Sequence, residues 1–171
     1  MGWAEKEVGR RYGFLLKRRT FVCNFDLPRR HEGAKEHKEF YMTEQERRER
    51  EEFLAKEIVD SAYKVHKQLG PGLLEKVYEV CFCHELSKKG IPFERQVDIP
   101  ITYDGLIFDE GLRVDVWVDK LVICELKAKD ELNEVWKAQI ISHLQLTNMK
   151  LGFLINFNVT LIKNGIYRFR K

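Results

Sequence analysis

The spacing of apolar positions changes period several times along the chain, and each change marks an element. After residue 43, apolar side chains recur at Leu54, Ile58, Ala62, Val65 and Leu69, which is one face of a helix. "TEQE" ahead of that face is a capping box, with Thr43 as N-cap and Glu46 reaching back to it. Gly70-Pro71-Gly72 ends the helix, and a second helical stretch, "LLEKVYEVCFCHELSKK", runs until Gly90 and Pro92 stop it.

The period then falls to two. Val97, Ile99, Ile101 and Tyr103 alternate with polar neighbours, Asp104-Gly105 predicts a hairpin turn, and Leu106 to Phe108 runs back. Asp109-Glu110-Gly111 predicts a bulge or bend in the returning strand. "RVDVWVDKLVICELKAK" reads as a further hairpin. Helical spacing resumes with Asn133 as N-cap and an inner face of Val135, Trp136, Gln139, Ile140, His143, Leu144 and Thr147. "LGFLINFN" is a buried strand, and Asn164-Gly165 predicts a last hairpin into "IYRFR". The order helix, helix, three strands, helix, strand, strand predicts an α/β fold with a mixed sheet flanked by helices.

Residues 1–42 show no sustained period and carry basic clusters such as "KRR", which predicts a poorly ordered basic extension ahead of one domain over residues 43–171. A chain of 171 residues with 44% hydrophobic positions suits a single core. Its formal charge of +3 comes from the first part of the sequence, the remainder being slightly acidic, so net charge alone gives no case for nucleic acid. Apolar runs are too short to span a membrane and no secretory signal is visible, so a cytoplasmic protein without a membrane partner is expected. Cys23, Cys81, Cys83 and Cys124 form no CxxC pair, which argues for reduced thiols and against a zinc or iron–sulfur site.

The hairpin at residues 113–129 raises the chemical question, because it places Asp115, Glu125 and Lys127 in the most apolar part of the chain. A two-residue turn would pair Val114 with Glu125 and mix valines with charges. A three-residue connection pairs Val118 with Val122 and Asp115 with Glu125. One face is then Val114, Val116, Val118, Val122, Cys124 and Leu126, and the other gathers Asp115, Glu125 and Lys127 with Arg113. Burying an unpaired charge costs several kcal/mol, far more than a less favoured turn, so the second register is predicted. Two carboxylates about 5 Å apart repel unless a cation lies between them. Mg2+ or Mn2+ suits such oxygen ligands, with the Leu126 backbone carbonyl completing the set, and Lys127 can orient water or offset developing charge. Arg113 can contact phosphate or pair with Asp115. From spacing alone, a cross-strand salt-bridge cluster on a solvated face fits as well.

Asp115 followed by Glu125-Leu126-Lys127 resembles the bipartite signature of the PD-(D/E)XK nuclease superfamily. Gly72, Glu75 and Tyr78 in "GPGLLEKVYE" resemble the GxxExxY family within it, as do "KAQIISHL" and "LGFLINFNV" in their order. The resemblance spans about residues 50–171. It implies a restriction-endonuclease-like α-β-β-β-α-β core, Asp115 and Glu125 as metal ligands, Lys127 as catalytic lysine and Glu75 as an assisting acid. It also implies a substrate-side role for Gln139, whereas His143 stands where many relatives carry tyrosine. Tyr78 is assigned to substrate binding, with core packing as the alternative. Relatives with iron–sulfur clusters carry further cysteines, and none follows Cys124. The expected function is Mg2+-dependent hydrolysis of phosphodiesters, with DNA as partner. The alternatives are a binding module that keeps the fold without turnover, and a component active only within an assembly.

Overall fold

Thr43 opens the first helix, α1 (Glu44–Leu69), through reciprocal bonds: the Thr43 amide donates to Glu46 Oε2 at 2.7 Å, and the Glu46 amide donates to Thr43 Oγ1 at 3.2 Å. These bonds to Thr43 hold the Glu46 carboxyl below its ordinary pKa. The computed structural model describes residues 42–131 and 133–171, so the predicted basic extension lies outside the described residues except for Met42. Gly70 closes α1 with φ +67, where a side chain would be strained, and its amide donates to His66 O at 2.8 Å.

There follow α2 (Glu75–Lys88), β1 (Phe93–Tyr103), β2 (Leu106–Val118), β3 (Val122–Lys127), α3 (Glu134–Leu146), β4 (Leu151–Asn156) and β5 (Ile166–Arg170). The five strands form one sheet in chain order, antiparallel except for the parallel pair β3–β4. A parallel pair needs a crossover, and α3 supplies it. The predicted α/β order is observed.

Two cores form on opposite faces of this sheet. On one, Leu54, Ile58 and Ala62 of α1 and Tyr78, Phe82 and Leu86 of α2 pack on Val116, Val118, Val122, Cys124, Leu126, Phe153 and Ile155. On the other, Ile140 and Leu144 of α3 pack on Val114 and Ile123. Each large side chain fully buried here contributes about 1.5–3 kcal/mol of transfer free energy. Helix α3 lies close against Gly152, where an added Cβ would come 3.2 Å from Ile140. Val135, which spacing places on its inner face, is exposed; α3 buries only Ile140, His143 and Leu144.

The central hairpin has the predicted register. Asp119 and Lys120 take φ +50 and +53, the Leu121 amide donates to Val118 O at 3.0 Å, and Leu121 is the extra residue that pairs Val118 with Val122. Val114 departs from the expected face. It packs on the α3 side, and so does its partner Val97, whereas a regular strand would put both across the sheet from Trp117. Both strands change face between these pairs, where the ladder skips Gln96 and Asp115 and Gln96 takes φ +50. The bulge predicted at Asp109-Glu110-Gly111 appears as a register shift between Ile99 and Ile101 within a continuous β2.

Asn164-Gly165 does not make a two-residue hairpin turn. A short 3-10 turn, Ile162–Asn164, leads into β5, and Gly165 has φ −101. Glycine is required there for a different reason: a Cβ would fall 2.1 Å from the Asn156 carbonyl oxygen.

Candidate active site

Strand β3 carries Glu125, Leu126 and Lys127 to the place where it parts from β2. The ladder between the two strands ends at Val116 and Cys124, so the next residues outward in the same register are Asp115 and Glu125. In place of a continuing ladder, the Leu126 amide donates to Asp115 Oδ2 at 2.9 Å. Asp115 Oδ1 accepts from the Gln96 side-chain amide at 3.2 Å.

Glu125 is 2% exposed. Its Oε1 accepts from Lys127 Nζ at 2.7 Å and from Gln139 Nε2 of α3 at 2.8 Å. Its Oε2 is buried without a hydrogen bond among the described residues, and His143 Nδ1 stands 3.5 Å away. Burial pushes the Glu125 pKa up to about 7; Asp115 and, more weakly, Glu75 push the same way, against the attraction of Lys127. For Lys127, burial pulls the pKa down, but Glu125, Asp115 and Glu75 outweigh it and hold the ammonium above its ordinary value. His143 is pulled down to about 4, first by burial and then by Lys127, so its ring is neutral near pH 7. Both ring nitrogens are buried without a hydrogen bond among the described residues.

Glu75 begins α2 half-buried, and the pKa of Glu125 and of Lys127 both respond to its charge. The structure therefore brings Asp115, Glu125, Lys127, Gln139 and Glu75 toward one place. The Leu126 carbonyl belongs to the same group by strand geometry. Lys127 O accepts from the Phe157 amide at 2.8 Å, on the β4 side. Adjacent residues alternate sides, so the Leu126 peptide groups face β2, and its amide does bond Asp115 there.

Two expected site residues are placed differently. Tyr78 is fully buried and stacks on Phe157 at 4.7 Å. Its hydroxyl donates to Gly70 O at 2.7 Å and accepts from the Leu73 amide at 3.1 Å, which leaves it no donor for a substrate. It holds the loop that delivers Glu75, so Gly72 (φ +95), Glu75 and Tyr78 are a turn, the residue it presents and the brace beneath. Arg113 is exposed and pairs with Asp98 directly across the β1–β2 ladder at 2.8 Å, not with Asp115.

Three residues were not singled out by the sequence. Gln96 bridges Asp115 to the buried Glu79 of α2. Asn156, at the end of β4, uses Oδ1 to accept from the Lys129 and Asn158 amides at 3.1 Å and donates to Lys129 O at 2.7 Å. It fixes the chain leaving Lys127. Their only sequence signal is a polar residue inside an apolar or alternating run, which an exposed strand face gives equally.

The Glu125 carboxylate, with one oxygen lacking a hydrogen bond among the described residues and the charge of Asp115 acting on it, fits a divalent cation. No three His, Cys, Asp or Glu side chains cluster as ligands among the described residues, and the candidate oxygen donors here are the Asp115 and Glu125 carboxylates and the Leu126 carbonyl. Mg2+ keeps several waters and is commonly held by one or two carboxylates, so this donor set suits it.

An α/β/α sandwich that gathers an aspartate, a glutamate and a lysine where two central strands separate defines a nuclease-like hydrolase. Residues 52–169 match the PD-(D/E)XK nuclease superfamily, and the chain belongs to it. No curated protein and no solved structure matches the chain. Superfamily members are generally nucleases that use divalent metals such as Mg2+, so nucleic acid is the substrate class. No helix among the described residues is long and apolar enough to cross a membrane.

Proposed function

We propose that the protein is a Mg2+-dependent nuclease, able to use Mn2+, that hydrolyses phosphodiester bonds in DNA and belongs to the GxxExxY family. The observation that carries this is the buried Glu125 carboxylate, with one oxygen held by Lys127 and Gln139, the other without a hydrogen bond among the described residues, and the charge of Asp115 acting on the group.

Asp115, Glu125 and the Leu126 carbonyl would hold the cation. When bound, it neutralises the paired carboxylates, acidifies water and offsets charge on the phosphoryl group. Lys127 keeps its proton and offsets charge developing on the phosphate, or orients the attacking water. Glu75 takes a proton from that water or holds it in line. Gln139 fixes the rotamer of Glu125. Arg113 reaches a phosphate only by leaving Asp98, and Tyr78 acts through the loop it braces. A reducing, cytoplasmic setting accords with the free thiols of Cys81, Cys83 and Cys124, of which burial raises Cys83 to about 12 and Cys124 well above its ordinary value.

Incubation of wild type, Asp115→Asn and Lys127→Ala with linear, circular and single-stranded DNA and with RNA, in Mg2+ or Mn2+, tests the reading. Wild type alone should cleave. Cleavage that survives both substitutions removes the mechanism. Metal binding without cleavage of any nucleic acid would instead mark a module that keeps the fold without turnover.

A further inference from the structure

Gln96 lies within β1 at φ +50, a conformation that residues other than glycine rarely adopt. No turn explains it, because Arg95–Val116 and Val97–Val114 are paired on either side. Strain of this kind persists where surrounding contacts over-determine it. Here the contacts are two carboxylates. The Gln96 amide donates to Glu79 Oε2 at 3.1 Å and to Asp115 Oδ1 at 3.2 Å. Both partners are acceptors, so only the NH2 end of the amide fits between them.

Glu79 is a firm anchor. It is 5% exposed, accepts from Arg95 Nε at 2.7 Å and pairs with Lys76 at 3.2 Å. A chain of contacts therefore runs from α2 through Glu79 and Gln96 to Asp115, whose other oxygen is held by the Leu126 amide. Each Asp115 oxygen receives one N–H and keeps a lone pair for a further ligand. An extended Gln96 would pair with Asp115 in the ladder, but alternation from Val116 would turn its side chain to the α3 side of the sheet, away from Glu79 of α2.

We propose that Gln96 is a positioning residue for Asp115, its left-handed backbone being the conformation from which one amide reaches Glu79 and Asp115 together. This rests on the reading of Asp115 as a metal ligand.

The test is Mn2+ titration calorimetry, with melting temperature and cleavage kinetics, on wild type, Gln96→Gly and Gln96→Asn, with Asp115→Asn as the blank. Glycine relieves the strain, so that variant should melt at or above wild type. Asparagine tolerates the left-handed backbone but is one methylene too short to bridge. Both should weaken Mn2+ binding by about 10–100-fold and lower kcat while KM for the nucleic acid stays unchanged. Wild-type Mn2+ affinity and kcat in both variants overturn the proposal. So does an affinity that falls only in a variant whose melting temperature falls with it. Asp115-dependent Mn2+ heat in wild type sustains the metal reading whatever the Gln96 variants do. Its absence defeats that reading, and the role of Gln96 with it.

Discussion

The Leu126 amide donates to Asp115 Oδ2 at 2.9 Å, so an acidic side chain of β2 caps the backbone of β3 at the point where their ladder stops. One carboxylate thereby holds the strand ends apart at a fixed width and stays beside Glu125. Structure and chemistry depend on the same atom pair, and substitutions can separate them.

Asp115→Asn keeps an oxygen for the Leu126 amide and removes the repulsion on Glu125. Its NH2 then meets the Gln96 NH2 where an acceptor stood, so its melting temperature should lie between those of wild type and Asp115→Ala, while Mn2+ heat and cleavage vanish. Asp115→Ala leaves the amide without its acceptor and should cost about 1–3 kcal/mol in chemical denaturation. Equal stability of the two variants would contradict the capping role.

Glu125 sets a pH dependence of stability for the metal-free protein. Its folded pKa is about 7, above the ordinary 4.5, so between those values the folded state binds more protons than the unfolded state. The Glu125 contribution to stability therefore falls as pH rises from about 4.5 through 7, by roughly 3 kcal/mol for a shift of this size, while His143, held down to about 4, contributes a rise between about 4 and 6.5. Glu125→Gln should remove the falling contribution and leave stability at pH 8 higher relative to pH 5 than in wild type. Denaturant midpoints at pH 5 and pH 8 for both proteins measure it, and an equal slope in the two would refute the assignment.

Lys127→Ala strips the buried Glu125 of its cation. At pH 8, where the carboxylate is ionised, the loss should be about 3–5 kcal/mol. At pH 5 it should be much smaller, since Glu125 is then protonated. A loss independent of pH would mean that Lys127 contributes by packing alone. Cleavage should be lost at either pH.

Tyr78→Phe keeps the stack on Phe157 and removes two hydrogen bonds to the Gly70–Leu73 loop. It should cost about 1–3 kcal/mol and speed amide exchange across that loop. Any fall in turnover should follow the mobility of Glu75. A raised KM with unchanged exchange would restore a direct substrate contact for this tyrosine.

Local rules made much of this fold readable in advance. Thr43 and Glu46 cap one another within four residues, and the hairpin register follows from keeping Glu125 off the valine face. Gln139 came from the family pattern, and the structure gives it a partner in Glu125. The misreadings occur where distant atoms decide. Val114 changes face because Gln96 leaves the extended region to meet Glu79, a helix residue that strand alternation does not register. Asn164-Gly165 has the composition of a tight turn, yet its glycine answers to the close approach of Asn156. Tyr78 has the spacing of the motif, and only the folded loop shows that its hydroxyl faces inward.

The parallel pairing of β3 with β4 also sets a sequence in time. The β2–β3 hairpin closes over three residues, whereas β4 pairs with β3 across the whole α3 crossover, a contact of much greater sequence separation that forms more slowly. Gln139 therefore reaches Glu125 late, and a refolding chain should protect its hairpin amides before it regains affinity for Mn2+. On the proposed reading, hydrolysis would be the last property that a folding chain acquires.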